Sequence, residues 1–391
     1  MSKPTVKITR TIQSKQVLNA FTEVVRKNLP LDLKNTRITA DDIFHVLGYA
    51  NVQRLSIESA CQELQDAPSG NRLREVLVEA LPDRAGVQRA LNRMFHRQLH
   101  PSLWKGKRNY NVAIDLTLIP YHGQPYEDKK EIVRGAPKSG TTHFHGYATI
   151  SIVHNNQRYV VALHFVEYGE EMAEIVRWLL RRLKSLKLLV RRVFLDKGFC
   201  SNPVFKVLHQ HHVSYVIPIP VRGKSGGVRD LFQGKSRKTT YTFHSPKQGA
   251  YTVHAIVVQR YSKGRYGRHR RKWFAYAVAG LPTGILPSQV FELYRQRFGI
   301  ESSYRQMNQV RARTSTRNPA IRLLLVGLAF VLFNLYISVR QNLSSALKSP
   351  LKLPKHFWLS LRRLAFLLGR AIERLWNIAE VIELQPCLAL S

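Results

Sequence analysis

Three acids in this chain stand where carboxylates could do chemistry. Asp115 lies inside an apolar run, Asn111-Val-Ala-Ile-Asp-Leu-Thr-Leu-Ile119. A charge in such a strand costs roughly several kcal/mol unless it is paired or bound to a metal. Asp196 closes a second apolar run, Val190-Arg-Arg-Val-Phe-Leu195, and precedes Lys197-Gly-Phe199. Glu301 sits in Tyr294-Arg-Gln-Arg297-Phe-Gly-Ile-Glu301-Ser-Ser-Tyr-Arg305. Hard divalent ions such as Mg²⁺ take few carboxylates, several waters and a substrate's phosphate oxygens. Two ions roughly 4 Å apart can neutralise a phosphate while activating the attacking oxygen and stabilising the leaving one. Asp115, Asp196 and Glu301 could hold such a pair if one carboxylate bridges it. Each residue also has a plainer reading. A strand-end Asp is commonly a cap or turn former, and Glu301 could simply pair with Arg297 or Arg305 along a helix, worth about 0.3–0.5 kcal/mol.

The surrounding pattern must bring these acids together. The run around Asp115 predicts a buried strand. Tyr147–Val153 and Arg158–Val166 read as two more, with Asn155-Asn156 as a tight turn between them. Met172–Lys187 has helical spacing, Val190–Leu195 is a strand, Asn202–His212 a short helix and Ser214–Pro220 a fifth strand. The order strand, strand, strand, helix, strand, helix, strand matches an α/β, ribonuclease-H-like core: a mixed five-stranded sheet with flanking helices. Residues 221–285 interrupt it as a β-rich insertion, with strands at Thr239–Phe243, Tyr251–Gln259 and Trp273–Val278. Helix resumes near Pro287 and is expected to run through Glu301 to about Val310. Tyr294, Arg297, Glu301, Arg305 and Asn308, spaced by three or four, then share one face.

The ends of the chain read as helical. Thr39-Ala-Asp-Asp42 has the spacing of a helix N-terminal cap, Gly48 is expected to end that helix, and another begins near Ser56. The pair could be a DNA-reading helix-turn-helix or part of an ordinary bundle. Leu323–Val339 carries no charge and borders on membrane-spanning length, but Arg322 and Arg340 flank it closely, and it is read as a buried core helix. An amphipathic helix follows around Leu359–Ile382.

Charge narrows the partner. The 391 residues hold 61 Lys and Arg against 25 Asp and Glu, a formal net charge of +36. Self-repulsion of that size points to a polyanion, with nucleic acid as the default. Beyond Lys197 the only acids are Asp230, Glu292, Glu301, Glu373, Glu380 and Glu383, so the positive field belongs mainly to the second half. In the insertion, Arg268, Arg270 and Arg271 stand beside Tyr261, Tyr266, Trp273 and Phe274. That interleaving suits phosphates and unstacked bases, or else a solvated hairpin tip. Hydrophobic residues at 44% exclude a wholly disordered chain. Cys61, Cys200 and Cys387 lie too far apart for a metal-ligand motif and favour a reducing compartment. His143, His145 and His211-His212 lack partners at zinc spacing. The N-terminus has no signal-peptide core. The expected location is cytoplasmic, beside the nucleoid, with no membrane partner.

At the three acids the sequence resembles the DDE transposases of prokaryotic insertion sequences. It is similar to the group whose Glu lies in a Tyr, two residues, Arg, three residues, Glu, six residues, Lys signature. Tyr294, Arg297 and Glu301 fit that spacing, while Asn308 stands at the Lys position. Asp196-Lys-Gly-Phe199 resembles the group's second-Asp motif and Ile114-Asp115-Leu-Thr117 its first. The likeness runs from about Tyr110 to Val339. It implies Mg²⁺ or Mn²⁺ as two ions, cleavage at an element's ends and attack of the freed 3′-hydroxyl on target DNA. It also implies phosphate contacts for Tyr294 and Arg297, with Arg305 a substitute for the missing Lys. Some relatives use an insertion-domain Trp to hold a flipped base, a role open to Trp273, although strand packing would equally explain that residue. Partners implied are double-stranded DNA, as terminal repeats and as target, and a second copy of the chain on DNA.

The domains expected are a helical N-terminal domain over 1–105 that could bind DNA ends, catalytic-core segments over 106–220 and 286–345, the insertion over 221–285 and a C-terminal helical segment over 346–391. The rival readings are a structure-specific nuclease or resolvase on the same core and a non-catalytic DNA-binding descendant of a transposase.

Overall fold

The computed structural model describes residues 11–99, 103, 109–154, 157–263, 269–297, 304–346 and 359–381. In chain order, the helices α1 (Ser14–Arg26), α2 (Ala40–Gln53), α3 (Ile57–Glu63), α4 (Gly70–Ala80) and α5 (Arg84–Gln98) come first. Strands β1 (Asn109–Pro120), β2 (Val133–Lys138), β3 (Thr141–His154) and β4 (Gln157–Val166) follow. Then come α6 (Met172–Ser185), β5 (Leu189–Phe194), α7 (Asn202–Gln210) and β6 (Tyr215–Pro218). Strands β7 (Arg237–Ser245), β8 (Gly249–Lys263) and β9 (His269–Ala279) lead to α8 (Pro287–Arg295), α9 (Pro319–Ala346) and α10 (Leu361–Trp376).

The chain divides into two compact units, one of residues 1–98 with 306–391 and one of residues 99–305. The helical unit therefore joins both ends of the chain, and α9, expected with the core, belongs to it. Leu323–Val339 is buried there apart from a half-buried Ser338, as a core helix requires, and α9 packs against α5. In α10, Leu361, Leu364, Leu368 and Ile372 are buried on one face. Glu373 on that helix accepts hydrogen bonds from the Tyr49 hydroxyl at 3.3 Å and Gln53 Nε2 at 3.2 Å.

At the start of α2, the Thr39 side chain accepts from the Asp42 amide and Asp42 accepts from the Thr39 amide, the reciprocal cap read in the sequence. The helix does not end at Gly48; it continues to Gln53 and stops at Arg54, which has a positive φ of 61°. Gly48 is there for packing, since a Cβ would lie 2.8 Å from the Phe21 ring. The next helix starts behind Ser56, whose Oγ accepts from the Ser59 amide at 3.0 Å.

In the second unit the strands form one nine-stranded mixed sheet in the order β2-β3-β1-β5-β6-β9-β8-β7, with β4 also paired to β3. The β1–β3, β3–β4 and β6–β9 pairs are antiparallel, while β1–β5 and β5–β6 are parallel. The Asn155-Asn156 turn lies outside the described residues. Two expectations need correction. The sheet is not limited to five strands, because β2 adds one beside β3 and β7–β9 add three more. The insertion therefore does not interrupt the core: β9 pairs with β6 over Tyr215↔Ala279 to Pro218↔Tyr276, so its strands extend the same sheet. The unsatisfied edge of β6 gains a ladder partner that way.

Helix α8 lies over this sheet. Val290 and Tyr294 pack into a cluster with Ala113 of β1, Phe194 of β5, Val216 of β6 and Val278 of β9. Alternation along β1 sends Ala113 and Asp115 toward α8, and Val112 and Ile114 to the opposite face. The helix expected to run on to Val310 ends at Arg295; Gln296 and Arg297 form a turn, and helix is seen again at residues 304–307.

Candidate active site

Register places the two aspartates. Parallel pairing of β1 with β5 ends at Ala113↔Phe194. Asp115 and Asp196 are each two residues further on, so both project to the same face at the carboxyl ends of adjacent parallel strands. Beyond that point β1 remains paired only to β3, with Asp115 opposite Thr149, and the parting strands leave room between the acids.

Arg297 fills the space facing them. Its Nη2 donates to Asp115 Oδ1 at 3.1 Å, and its Nη1 lies 3.4 Å from Asp196 Oδ1. The same Nη1 donates to the Tyr294 hydroxyl at 3.2 Å, and that hydroxyl donates to the Leu195 carbonyl at 3.2 Å. The turn after α8 is what allows this reach, and Arg158 on β4 donates to the Gln296 carbonyl beside it at 2.6 Å. Side-chain exposure is 4% for Arg297, 13% for Asp115 and 41% for Asp196, so one carboxylate is enclosed and the other opens to solvent.

The electrostatics follow from that asymmetry. Burial lifts the Asp115 carboxyl to about 6; Arg297 pulls it down and the Asp196 charge adds to the rise. Burial works against the Arg297 charge, but Tyr294 and the two aspartates outweigh it and raise its pKa. Burial also raises the Tyr294 phenol, keeping it a neutral donor.

Tyr304 anchors the chain just beyond Glu301. Its hydroxyl exchanges a hydrogen bond with Thr149 Oγ1 at 2.6 Å and donates to the Asp115 carbonyl at 3.4 Å. Thr149 is 2% exposed, so Tyr304→Phe strands its hydroxyl and is expected to cost about 1–3 kcal/mol in denaturant unfolding. Thr149→Val combined with Tyr304→Phe should recover most of that loss, because an apolar pair leaves nothing unsatisfied. Additive losses in the double variant would show that the bond is not what matters.

Of the residues singled out in the sequence, Asp115, Asp196, Tyr294 and Arg297 converge. Tyr294 and Arg297, for which phosphate contacts were implied, are both 3% exposed and turned to the aspartates. Arg305 is exposed, as is Asn308. Glu301 and Arg268 lie outside the described residues, as does the side chain of Arg270. Arg271, on β9, holds its guanidinium 5.9 Å from the Tyr261 ring centre. Trp273 stacks on Phe232 with centroids 6.0 Å apart, so packing accounts for one face of its ring. Thr149, Arg158 and Tyr304 went unremarked in the sequence. Tyr304 carried a usable signal, since it lies three residues past Glu301, at helical spacing.

Among the described residues no group of three or more His, Cys, Asp or Glu side chains is placed to hold a metal ion. Asp115 and Asp196, with facing oxygens on one shared cation, nevertheless fit a hard divalent ion as a donor pair.

A family model described as the transposase DDE domain matches residues 107–335. No curated protein matches the sequence. Among solved structures, a piggyBac transposase synaptic complex with hairpin DNA is similar over 96% of this chain and 84% of that one, with a TM-score of 0.57 and 13% identity. At that identity the likeness concerns the fold. Marinitoga piezophila Argonaute with a 5′ OH guide RNA covers 65% of this chain and 33% of its own, with a TM-score of 0.21 and 7% identity, too slight to bear on the fold.

Proposed function

The chain belongs to the transposases with a DDE domain, and on that footing we propose that Asp115, Asp196 and Glu301 are the acids with which it cuts and joins DNA. The observation that carries this reading is the placement of Asp115 and Asp196 side by side at the ends of β1 and β5, held by one cationic side chain. The order β4-β3-β1-β5-β6, with β1, β5 and β6 parallel, supports a ribonuclease-H-like core. The Tyr294, Arg297 and Glu301 spacing supports the prokaryotic insertion-sequence group.

DDE transposases use divalent ions. Here Asp115, Asp196 and Glu301 would hold two, Mg²⁺ or Mn²⁺, which supply charge neutralisation and an activated oxygen nucleophile. The chain's own residues do the rest. Tyr294 holds the Leu195 backbone beside Asp196, Arg297 orients both aspartates, and Tyr304 holds on to the Asp115 backbone. The substrate is double-stranded DNA, bound as terminal repeats and then as target by a dimer of the chain, in the cytoplasm beside the nucleoid. The deciding experiment incubates purified protein and Mg²⁺ with DNA carrying the flanking repeats of its own gene. Strand-transfer products are expected; cleavage without joining would make it a nuclease.

The β8–β9 hairpin is read as a second DNA-binding element. Replacing Arg268, Arg270 and Arg271 together with Ala should weaken binding and flatten its salt dependence. Each phosphate that is no longer neutralised lowers the log–log slope by roughly 0.9. An unchanged slope would put these arginines in solvent.

A further inference from the structure

Beyond the end of β1 the chain builds a cavity of about 520 Å³ that none of the proposed site residues lines. Its wall includes Tyr121, His122, Lys129, Arg134, His143 and Tyr168 and contains no acid. Among the described residues, neither Lys129 nor Arg134 has a carboxylate within ion-pair reach. The nearby acid Glu131 is buried, with its carboxylate accepting from the Tyr126 amide, and Asp128 accepts from the Lys130 amide at 2.9 Å. Tyr168 exposes 54% of its surface, so an apolar face stands open at the rim.

The walls are fixed by the backbone. The Tyr121 amide donates to the His143 carbonyl at 2.9 Å, Thr141 Oγ1 donates to the Tyr121 carbonyl at 2.9 Å, and the Tyr168 amide donates to the Lys130 carbonyl at 2.8 Å. Ser139 and Gly140, with φ of 52° and 76°, make the two-residue turn that joins β2 to β3 at one side. Such a preformed hollow, within the ~300–1,000 Å³ range of small-molecule sites, offers cations for a phosphate.

Position identifies the occupant. Asp115 and the end of β1 at Pro120 are five residues apart on one strand, or about 17 Å at ~3.4 Å per residue. For a duplex laid along β1, phosphates of one strand recur about every 3.4 Å along the helix axis. We infer that this cavity receives a backbone phosphate of the DNA about five positions from the phosphate held at Asp115 and Asp196, with Lys129 and Arg134 on its oxygens and Tyr168 at the rim. The inference rests on reading those aspartates as the cutting site.

The test uses the full chain, the Lys129→Ala/Arg134→Ala variant and duplexes bearing the ends of its element. One duplex extends about ten nucleotides to each side of the cut; the others stop about three from it on one side or the other. Removing the two cations that share this one phosphate should lower the log–log salt slope of the variant by about 0.9 on the long duplex. On one of the short duplexes, wild type and variant should bind alike. Equal slopes on the long duplex, or a difference that survives both truncations, would overturn the inference. Thermal melting of the variant checks that it is folded. A wild-type chain that binds but does not cut would instead count against the aspartate reading, because the slopes still decide the cavity.

Discussion

Asp115→Asn, Asp196→Asn and Glu301→Gln are each expected to abolish DNA cleavage while leaving DNA affinity nearly unchanged. The amides keep the shape of the side chains but remove the negative charge that a divalent ion requires. Charge stabilisation by such ions is worth several kcal/mol in the transition state, so a loss of about 4 kcal/mol corresponds to on the order of 10³-fold in rate. Binding should survive because the cationic surfaces that meet phosphates are untouched by these changes. At Asp115 the fold itself should tolerate Asn, since burial already lifts that carboxyl to about 6 and disfavours its charge. Cleavage rates with Mg²⁺ and affinities by mobility shift, measured on the same preparations, separate the two effects. A variant that cuts at the wild-type rate removes its residue from the site. A variant that loses cutting and binding together points to a structural role instead.

Much of this site was legible because its signals are local. An acid in an apolar strand, an acid at the end of another, and strands alternating with helices are all patterns within a dozen residues. Asp115 and Asp196 could therefore be paired before any coordinates, and their register two residues past Ala113↔Phe194 agrees. Long-range pairings were not legible. Arg297 reads in sequence as a neighbour of Glu301, yet it meets Asp115, 182 residues away. Helical spacing favours the near partner, and the break after Arg295 frees the side chain for the far one. The insertion shows the same limit. Its strands were visible from composition, but nothing local says that β9 pairs with β6 and makes one sheet of two. Gly48 misled for a different reason, since glycine that ends a helix and glycine that lets two helices approach look alike until Phe21 is seen against it.

Arg297→Met should destabilise the protein strongly, and divalent metal should restore part of the loss. Arg297 is 4% exposed and faces two carboxylates, Asp115 at 3.1 Å and Asp196 at 3.4 Å. Removing the cation leaves the enclosed Asp115 carboxyl beside Asp196 without its partner, and breaking such a buried pair costs about 3–5 kcal/mol. With roughly 2–4 °C per kcal/mol for a body of 150–250 residues, melting should fall by about 6–20 °C. Mg²⁺ bound by the bare carboxylates stabilises the folded state alone, so the melting temperature of the variant should climb more steeply with Mg²⁺ than that of wild type. Arg297→Lys should fall between the two. A single ammonium replaces the charge but lacks the planar fork that reaches Asp115, Asp196 and the Tyr294 hydroxyl together. The competing view is that Arg297 serves DNA phosphates, as the spacing with Tyr294 implies. Arg297→Met would then melt near wild type, ignore Mg²⁺ and lose DNA affinity. Melting curves across a Mg²⁺ series, taken without DNA, tell these apart before any cleavage is measured. A stable, metal-indifferent variant would mean that the contact with the aspartates does not hold the site together.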